Sequence, residues 1–253
     1  MVIQYASDLH LEFSDNWNYL KQHPIKPVGE ILILAGDIGY LGDDNYSKHP
    51  FWDWASENFK QVIVALGNHE FYKKYDISAL QNGLCGEIRD NVHFYYNSVV
   101  RVDDIDIIIT TLWAHISLED AYITECCVSD FQRIMYGNSL LTFAEFNNEH
   151  KRCLSFLQNA LDISNAQKKI VVTHHVPSFK LLSPEYKCSR VNGAFIVELF
   201  DYIAESNIAY WIYGHSHHNI DATIGTTKCV CNQLGYVFKN EHRTYDNRRC
   251  III

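Results

Sequence analysis

Ile31-Leu32-Ile33-Leu34-Ala35-Gly36-Asp37 is the stretch that decides the architecture. Five apolar, mostly branched residues in a row, cut short by a glycine, predict a strand buried on both faces. The first polar side chain after it is a carboxylate. Outward from there the arrangement recurs. Val2–Ala6 runs into Ser7-Asp8-Leu9-His10, and Gln61–Leu66 into Gly67-Asn68-His69-Glu70. Lys169–Thr173 runs into His174-His175, and Ala209–Tyr213 into Gly214-His215-Ser216-His217-His218. Ile105–Thr111, Val92–Tyr96, Lys228–Cys231 and Arg249–Ile253 are further expected strands. Helices are expected from Pro50, from Asp76 (Ile77, Leu80, Leu84 and Ile88 inward), from the capping box Thr142–Glu145, and after Gly193 (Phe195, Ile196, Leu199, Phe200 and Ile203 inward). Strands alternating with helices define an α/β protein. The segments 11–28, 114–141 and 178–192 read as irregular, aromatic-rich rims of a site. No linker divides the 253 residues, so 1–253 is expected to be one domain.

Composition narrows the function. Hydrophobic residues make up 47% and charged residues 20%, which is ordinary globular usage. A net charge of −9 argues against general nucleic-acid binding, which needs a basic surface. No apolar run approaches the ~18 residues needed to span a bilayer, so no membrane partner is expected. The opening Met1-Val2-Ile3-Gln4-Tyr5-Ala6 leaves no room for a signal peptide, and a cytoplasmic location is expected. The eight cysteines accordingly read as mostly buried, reduced thiols. The ending Cys250-Ile251-Ile252-Ile253 has the form of a prenylation signal but reads as a final strand.

Histidine is the informative residue. Of thirteen, seven sit in the strand-end clusters. In an open α/β sheet the carboxyl ends of strands gather where ligands bind. Five such ends deliver two Asp, one Asn and several His, which is metal chemistry. The set exceeds one tetrahedral ion and suits two ions sharing a bridge. Two divalent ions ~3.5 Å apart repel by roughly 20 kcal/mol at an effective dielectric of 20, so a shared carboxylate and a shared hydroxide must offset this. The glycines at 36, 67 and 214 are expected to let the chain turn sharply. In Asp8-Leu9-His10 and His215-Ser216-His217 an extended chain would point the outer residues to one side.

Asp-x-His, Gly-Asp, Gly-Asn-His-Glu, His-His-x-Pro and Gly-His-x-His, in this order from Asp8 to His217, resemble the calcineurin-like metallophosphoesterase superfamily. Ser7–Glu12, Gly67–Tyr72, Thr111-Leu112-Trp113, Ser129-Asp130-Phe131 with Ile134, and Asn232 with Gly235-Tyr236 are similar to a compact bacterial branch of it. That branch tends to carry Asn-Pro-Arg-Gly-Tyr near its end, where this chain has Leu234 in place of the arginine. The resemblance implies a four-layer α-β-β-α sandwich of two mixed β-sheets flanked by helices, with two divalent ions (Mn, Fe, Zn, Ni or Co). It implies Asp8, His10, Asp37 and His217 on one ion, and Asn68, His174 and His215 on the other, with Asp37 bridging. A bridging hydroxide would attack the phosphorus of a small phosphomonoester or phosphodiester, and His69 would protonate the leaving oxygen. A binding scaffold on the same fold and a nuclease are the alternatives. The intact ligand set speaks against the first and the acidic charge against the second.

Other polar residues carry weaker expectations. His175 and Arg133 are candidate substrate contacts, although a surface ion pair is the ordinary reading of Arg133. Glu70 reads as a structural partner of its loop, Trp113 and Tyr72 as core or rim aromatics, and His150 as a satisfied helix residue. Thiol titration of freshly purified, denatured protein without reductant should find close to eight free thiols. A count near zero would place the protein in an oxidising compartment.

Overall fold

The computed structural model describes residues 1–253. Its strands are, in chain order, β1 Val2–Ala6, β2 Ile31–Ala35, β3 Gln61–Ala65, β4 Leu84–Arg89, β5 Val92–Tyr96, β6 Ser98–Val102 and β7 Ile105–Thr110. There follow β8 Met135–Tyr136, β9 Ser139–Leu140, β10 Lys168–Thr173, β11 Tyr210–Tyr213, β12 Ala222–Ile224, β13 Thr227–Cys231 and β14 Cys250–Ile252. One six-stranded sheet runs β14-β1-β2-β3-β5-β4 and the other β12-β13-β11-β10-β7-β6. In each, four central strands are parallel and both edge strands antiparallel, so both sheets are mixed.

The two-residue period of the strands explains the layering. Ile31, Ile33 and Ala35 face the second sheet with Ile3, Tyr5, Ile63 and Ala65, against Ile107, Ile109, Ile170, Val172 and Ile212. The alternate residues Leu32, Leu34, Val62 and Val64 face outward onto Phe51, Trp52 and Ala55 of the helix Pro50–Asn58. On the other side Ile108, Val171 and Trp211 pack against Phe146, Cys153, Leu157 and Ala160 of the helix Phe143–Ile163. Strands apolar on both faces, each face covered, make the four-layer α-β-β-α sandwich. The Thr142 capping box is present at the start of the second helix. No helix is long and apolar enough to cross a membrane.

Four expectations need correction. Leu84 and Ile88 belong to β4, not to a helix from Asp76, where a 3-10 turn spans only Ile77–Ala79. Their spacing of four is also two steps of two, and the turn at Asp90-Asn91 folds β4 back onto β5. Gly193 lies in a 3-10 turn, Asn192–Ala194, after which Ile196 bridges to Val176, and the helix is confined to Phe200–Glu205. Segments 11–28 and 114–141 are not irregular: they contain the helices Ser14–Gln22, Ala121–Cys127 and Asp130–Arg133. All eight cysteines are free, but only Cys153, Cys229 and Cys231 are buried.

Ile33 is fully buried between the sheets. Ile33→Ala should lower stability by about 2–5 kcal/mol in denaturant unfolding, the cost of a core cavity. Ile163→Ala, at an exposed helix end, should change it by less than about 0.5 kcal/mol.

Candidate metal centre

The centre lies where the carboxyl ends of β1, β2 and β3 of one sheet meet those of β10 and β11 of the other. Asp8 and His10 follow β1, Asp37 follows β2, and Asn68 and His69 follow β3. His174 and His175 follow β10, and His215 and His217 follow β11. All nine are buried or nearly so.

The backbone reaches this geometry under strain. Asp8, His10, Asp37, His215 and His217 all have positive φ, between 47° and 76°. Left-handed backbone costs such residues roughly 1–2 kcal/mol each. The paired residues two apart therefore come together through left-handed turns and not through extended chain. The glycines serve close approach more than turning. Of the three, only Gly36 has positive φ. A Cβ on Gly67 would collide with the Asp37 carboxylate, and one on Gly214 would lie 2.7 Å from Asp8 Oδ2. Glu70 holds the loops in register: its carboxylate accepts from the amides of Asp37, Ile38, Gly39 and Gly67.

Three groups of side chains converge closely enough to hold an ion: His10, Glu12 and His69 form one, beside two that share a carboxylate. Of these two, Asp8, His10, Asp37 and His217 form the first, and Asp37, His174 and His215 the second, with Asp37 common to both. Asn68 Oδ1 joins the second group, 2.9 Å from His174 Nε2. The outer polar atom of each ring, and of the Asn68 amide, is held by a partner outside these two groups. His10 Nδ1 donates to Glu12 (3.2 Å), His217 Nδ1 to Glu241 (2.6 Å), and His174 Nδ1 to the Ala35 carbonyl (2.8 Å). Asn68 Nδ2 donates to Asp130 (2.8 Å), and His215 Nε2 faces the Ala194 carbonyl (3.4 Å). What faces inside is ring nitrogens, the Asn68 oxygen and the Asp8 and Asp37 carboxylates. The Nε2 atoms of His10 and His217 stand 3.0 Å apart, and His174 Nε2 stands 3.1 Å from His215 Nδ1. Two acceptors at that distance repel unless a cation lies between them. This donor set therefore fits metal ions.

The same crowding sets the protonation state of the metal-free protein. Burial opposes charge on His217 and His174, but the carboxylates outweigh it. Asp8 and Glu241 lift His217 to about 10, and Asp37 with Asp8 lifts His174 to about 9. Each group thus holds one proton where an ion would sit. His215 and His175 are pushed well below the usual range, by burial and then by neighbouring imidazoles.

His69 stands beside these groups. Its Nδ1 donates to Glu12 Oε1 (2.8 Å), the oxygen that also accepts from His10, and its Nε2 lies 3.2 Å from the Tyr236 hydroxyl. Burial opposes charge on the ring, but Asp37 and Glu12 outweigh it and raise its pKa, favouring the imidazolium with a proton on Nε2. Burial raises the cost of ionising Glu12, but the two imidazoles bring its carboxyl down to about 2. His175 is wholly buried, bonded to the Thr111 carbonyl and packed on Trp113 and His215, away from the cavity. Arg133 is exposed and forms no ion pair; its guanidinium lies 5.2 Å over the Tyr72 ring. Trp113 is core, Tyr72 lines the cavity, and His150 is satisfied by the Leu112 carbonyl. Sequence reading gave no role to Glu12, Asp130, Tyr236 or Glu241, which orient the converging side chains. Their one signal is that Glu12, Asp130 and Tyr236 fall inside the quoted motifs.

The chain belongs to the calcineurin-like phosphoesterase family, whose sequence profile matches residues 1–219. It is thereby a metal-dependent phosphoric ester hydrolase. An uncharacterized protein of Acanthamoeba polyphaga mimivirus is 29% identical over an alignment covering 93% of this chain and 91% of that one. Among solved structures, the phosphopantetheinyl hydrolase of Mycobacterium tuberculosis superposes with a TM-score of 0.73 at 16% identity, covering 99% of this chain and 95% of the other. A dimetal phosphatase from Danio rerio gives 0.50 at 9% identity, covering 92% and 87%. At these identities the structures share the fold.

Ligation requires neutral imidazoles, whereas His174 and His217 are protonated at pH 7 in the metal-free protein. Loading divalent metal at pH 7 should therefore release at least two protons per chain, and affinity should rise as pH goes from 7 to 9. Calorimetry in buffers of different ionisation enthalpy measures the release, and its absence would mean that the inner nitrogens are already neutral.

Proposed function

We propose that the chain is a binuclear-metal phosphoesterase acting on a small phosphomonoester or phosphodiester. The inward convergence of metal-ligating nitrogens and oxygens in two groups sharing Asp37 carries this reading. Asp8, His10, Asp37 and His217 would hold one ion, and Asp37, Asn68, His174 and His215 the other. Two divalent ions there, of Mn, Fe, Zn, Ni or Co, would polarise the phosphoryl oxygens and supply a nucleophile for in-line attack at neutral pH. Glu12 and Glu241 fix the His10 and His217 rings with Nε2 inward, and Asp130 turns the Asn68 oxygen the same way. His69 is the proton donor: with Nδ1 held by Glu12, its Nε2 faces the site and can protonate the departing oxygen. Eight unpaired thiols support the reducing cytoplasm as the compartment. The nuclease reading is disfavoured, because Lys239 is the only lysine or arginine lining the cavity over the centre.

Metal analysis should find two ions per chain, about 3–4 Å apart by anomalous scattering. Asp37→Asn should lower occupancy at both positions, and emptying of one alone would deny it the bridge. His69→Ala should keep both ions and reduce kcat by about 10²–10⁴-fold for alkoxide leaving groups. The loss should be smaller for a nitrophenolate, which needs little protonation. Equal losses would make His69 a phosphate-positioning residue, and lost metal would make it a ligand.

A further inference from the structure

A cavity of about 360 Å³ opens over the centre. Its floor is His69 with four of the proposed ligands, Asp37, Asn68, His215 and His217. One wall comes from residues 127–130 and the opposite one from residues 182–196. The latter segment is a run of short 3-10 turns pinned by the Val176–Ile196 bridge and by Asn192 Nδ2 donating to the Tyr186 carbonyl. Away from the floor the two walls present Val128, Leu182, Val191, Phe195 and Ile196. Phe195 stacks on the His215 ring, 4.7 Å between centroids at 25°, so apolar surface begins directly beside a proposed ligand.

Charge is scarce on these walls. Asp130 accepts from Asn68 and Tyr72 through Oδ1, its Oδ2 being buried without a partner, and Glu241 is bonded to His217. Lys239 at the rim lies 4.9 Å over the Tyr236 ring, and His218 is paired with Glu185. A second or third phosphate on the substrate would find one cation, Lys239, and otherwise neutral side chains, among them Ser129, Ser189 and Asn192, so most of its charge would be uncompensated, which is costly. A neutral apolar group there would gain by leaving water.

Resting on the phosphoesterase reading, we infer that the substrate carries a single phosphoryl group on a neutral, largely apolar alcohol, seated between residues 127–130 and 182–196. The metals and His69 handle the phosphoryl end. The two walls select the alcohol by area.

Alkylphosphonates test this apart from catalysis, because their C–P bond resists hydrolysis. Calorimetry on the metal-loaded protein should show affinity rising with alkyl length from methyl to hexyl, by about twofold to fourfold per methylene. The heat-capacity change should become more negative along the series. In turnover, kcat/KM for the matching alkyl phosphates should rise in parallel, since their leaving groups barely differ in basicity; glycerol phosphate and a nucleoside triphosphate should fall below hexyl phosphate. Val191→Asp should flatten the length dependence with both ions still bound, and Phe195→Ala should reduce it. Phosphonate affinity independent of length, or a preference for the triphosphate, would overturn the inference. Length-dependent phosphonate binding without hydrolysis of any ester would sustain it and overturn the catalytic reading instead.

Discussion

The centre depends on one constraint: the metal-ligating atoms of seven side chains must point inward together, and the outer polar atom of each ring and of the Asn68 amide must be held from outside. Imidazole has two nitrogens, and its useful one is chosen by what the other one meets. Glu12, Glu241 and the Ala35 carbonyl make that choice for His10, His217 and His174. Asp130 makes the equivalent choice for the Asn68 amide, whose two ends differ only in which donates. Remove these partners and the rings can flip or change tautomer, although every converging side chain is still present. The outer carboxylates also make the imidazoles more basic, and so stronger donors.

Convergence is bought with backbone strain. Five of the seven converging residues sit in left-handed conformations, which packing elsewhere must outweigh. Three layers of apolar contact supply the rigidity, and Glu70 ties the Asp37 and Asn68 loops through four amides. A site so held is shaped before any ion arrives. The same rigidity explains why the glycines tolerate no side chain: the cleared space is occupied by the Asp37 and Asp8 carboxylates.

Much of this was legible in the sequence. Ile31–Ala35 and its relatives read as doubly buried strands, and their polar endings do gather in one place, although at the meeting of two sheets and not along the edge of one. The helix from Thr142 was legible because its cap is local. What failed was non-local. Leu80, Leu84 and Ile88 fit a helix as well as a strand, and only pairing with β5 decides between them. The extended-chain reading of Asp8 and His10 missed the left-handed turns, which arise from contacts such as the Asp8 amide donating to the Gly36 carbonyl. Glu241 meets His217, and Asp130 meets Asn68, across 24 and 62 residues; no local pattern announces such pairs.

The pairing of β1 with β14 joins Val2 to Ile252, so β1 has as its neighbour a strand made long after it. During synthesis one edge of β1 stays open until residues 250–252 have left the ribosome, while β2 can cover the other edge early. An open apolar edge is a template for a second chain. The sandwich therefore carries this aggregation hazard in time: the exposure ends when β14 pairs, and lengthens wherever translation between β1 and β14 slows.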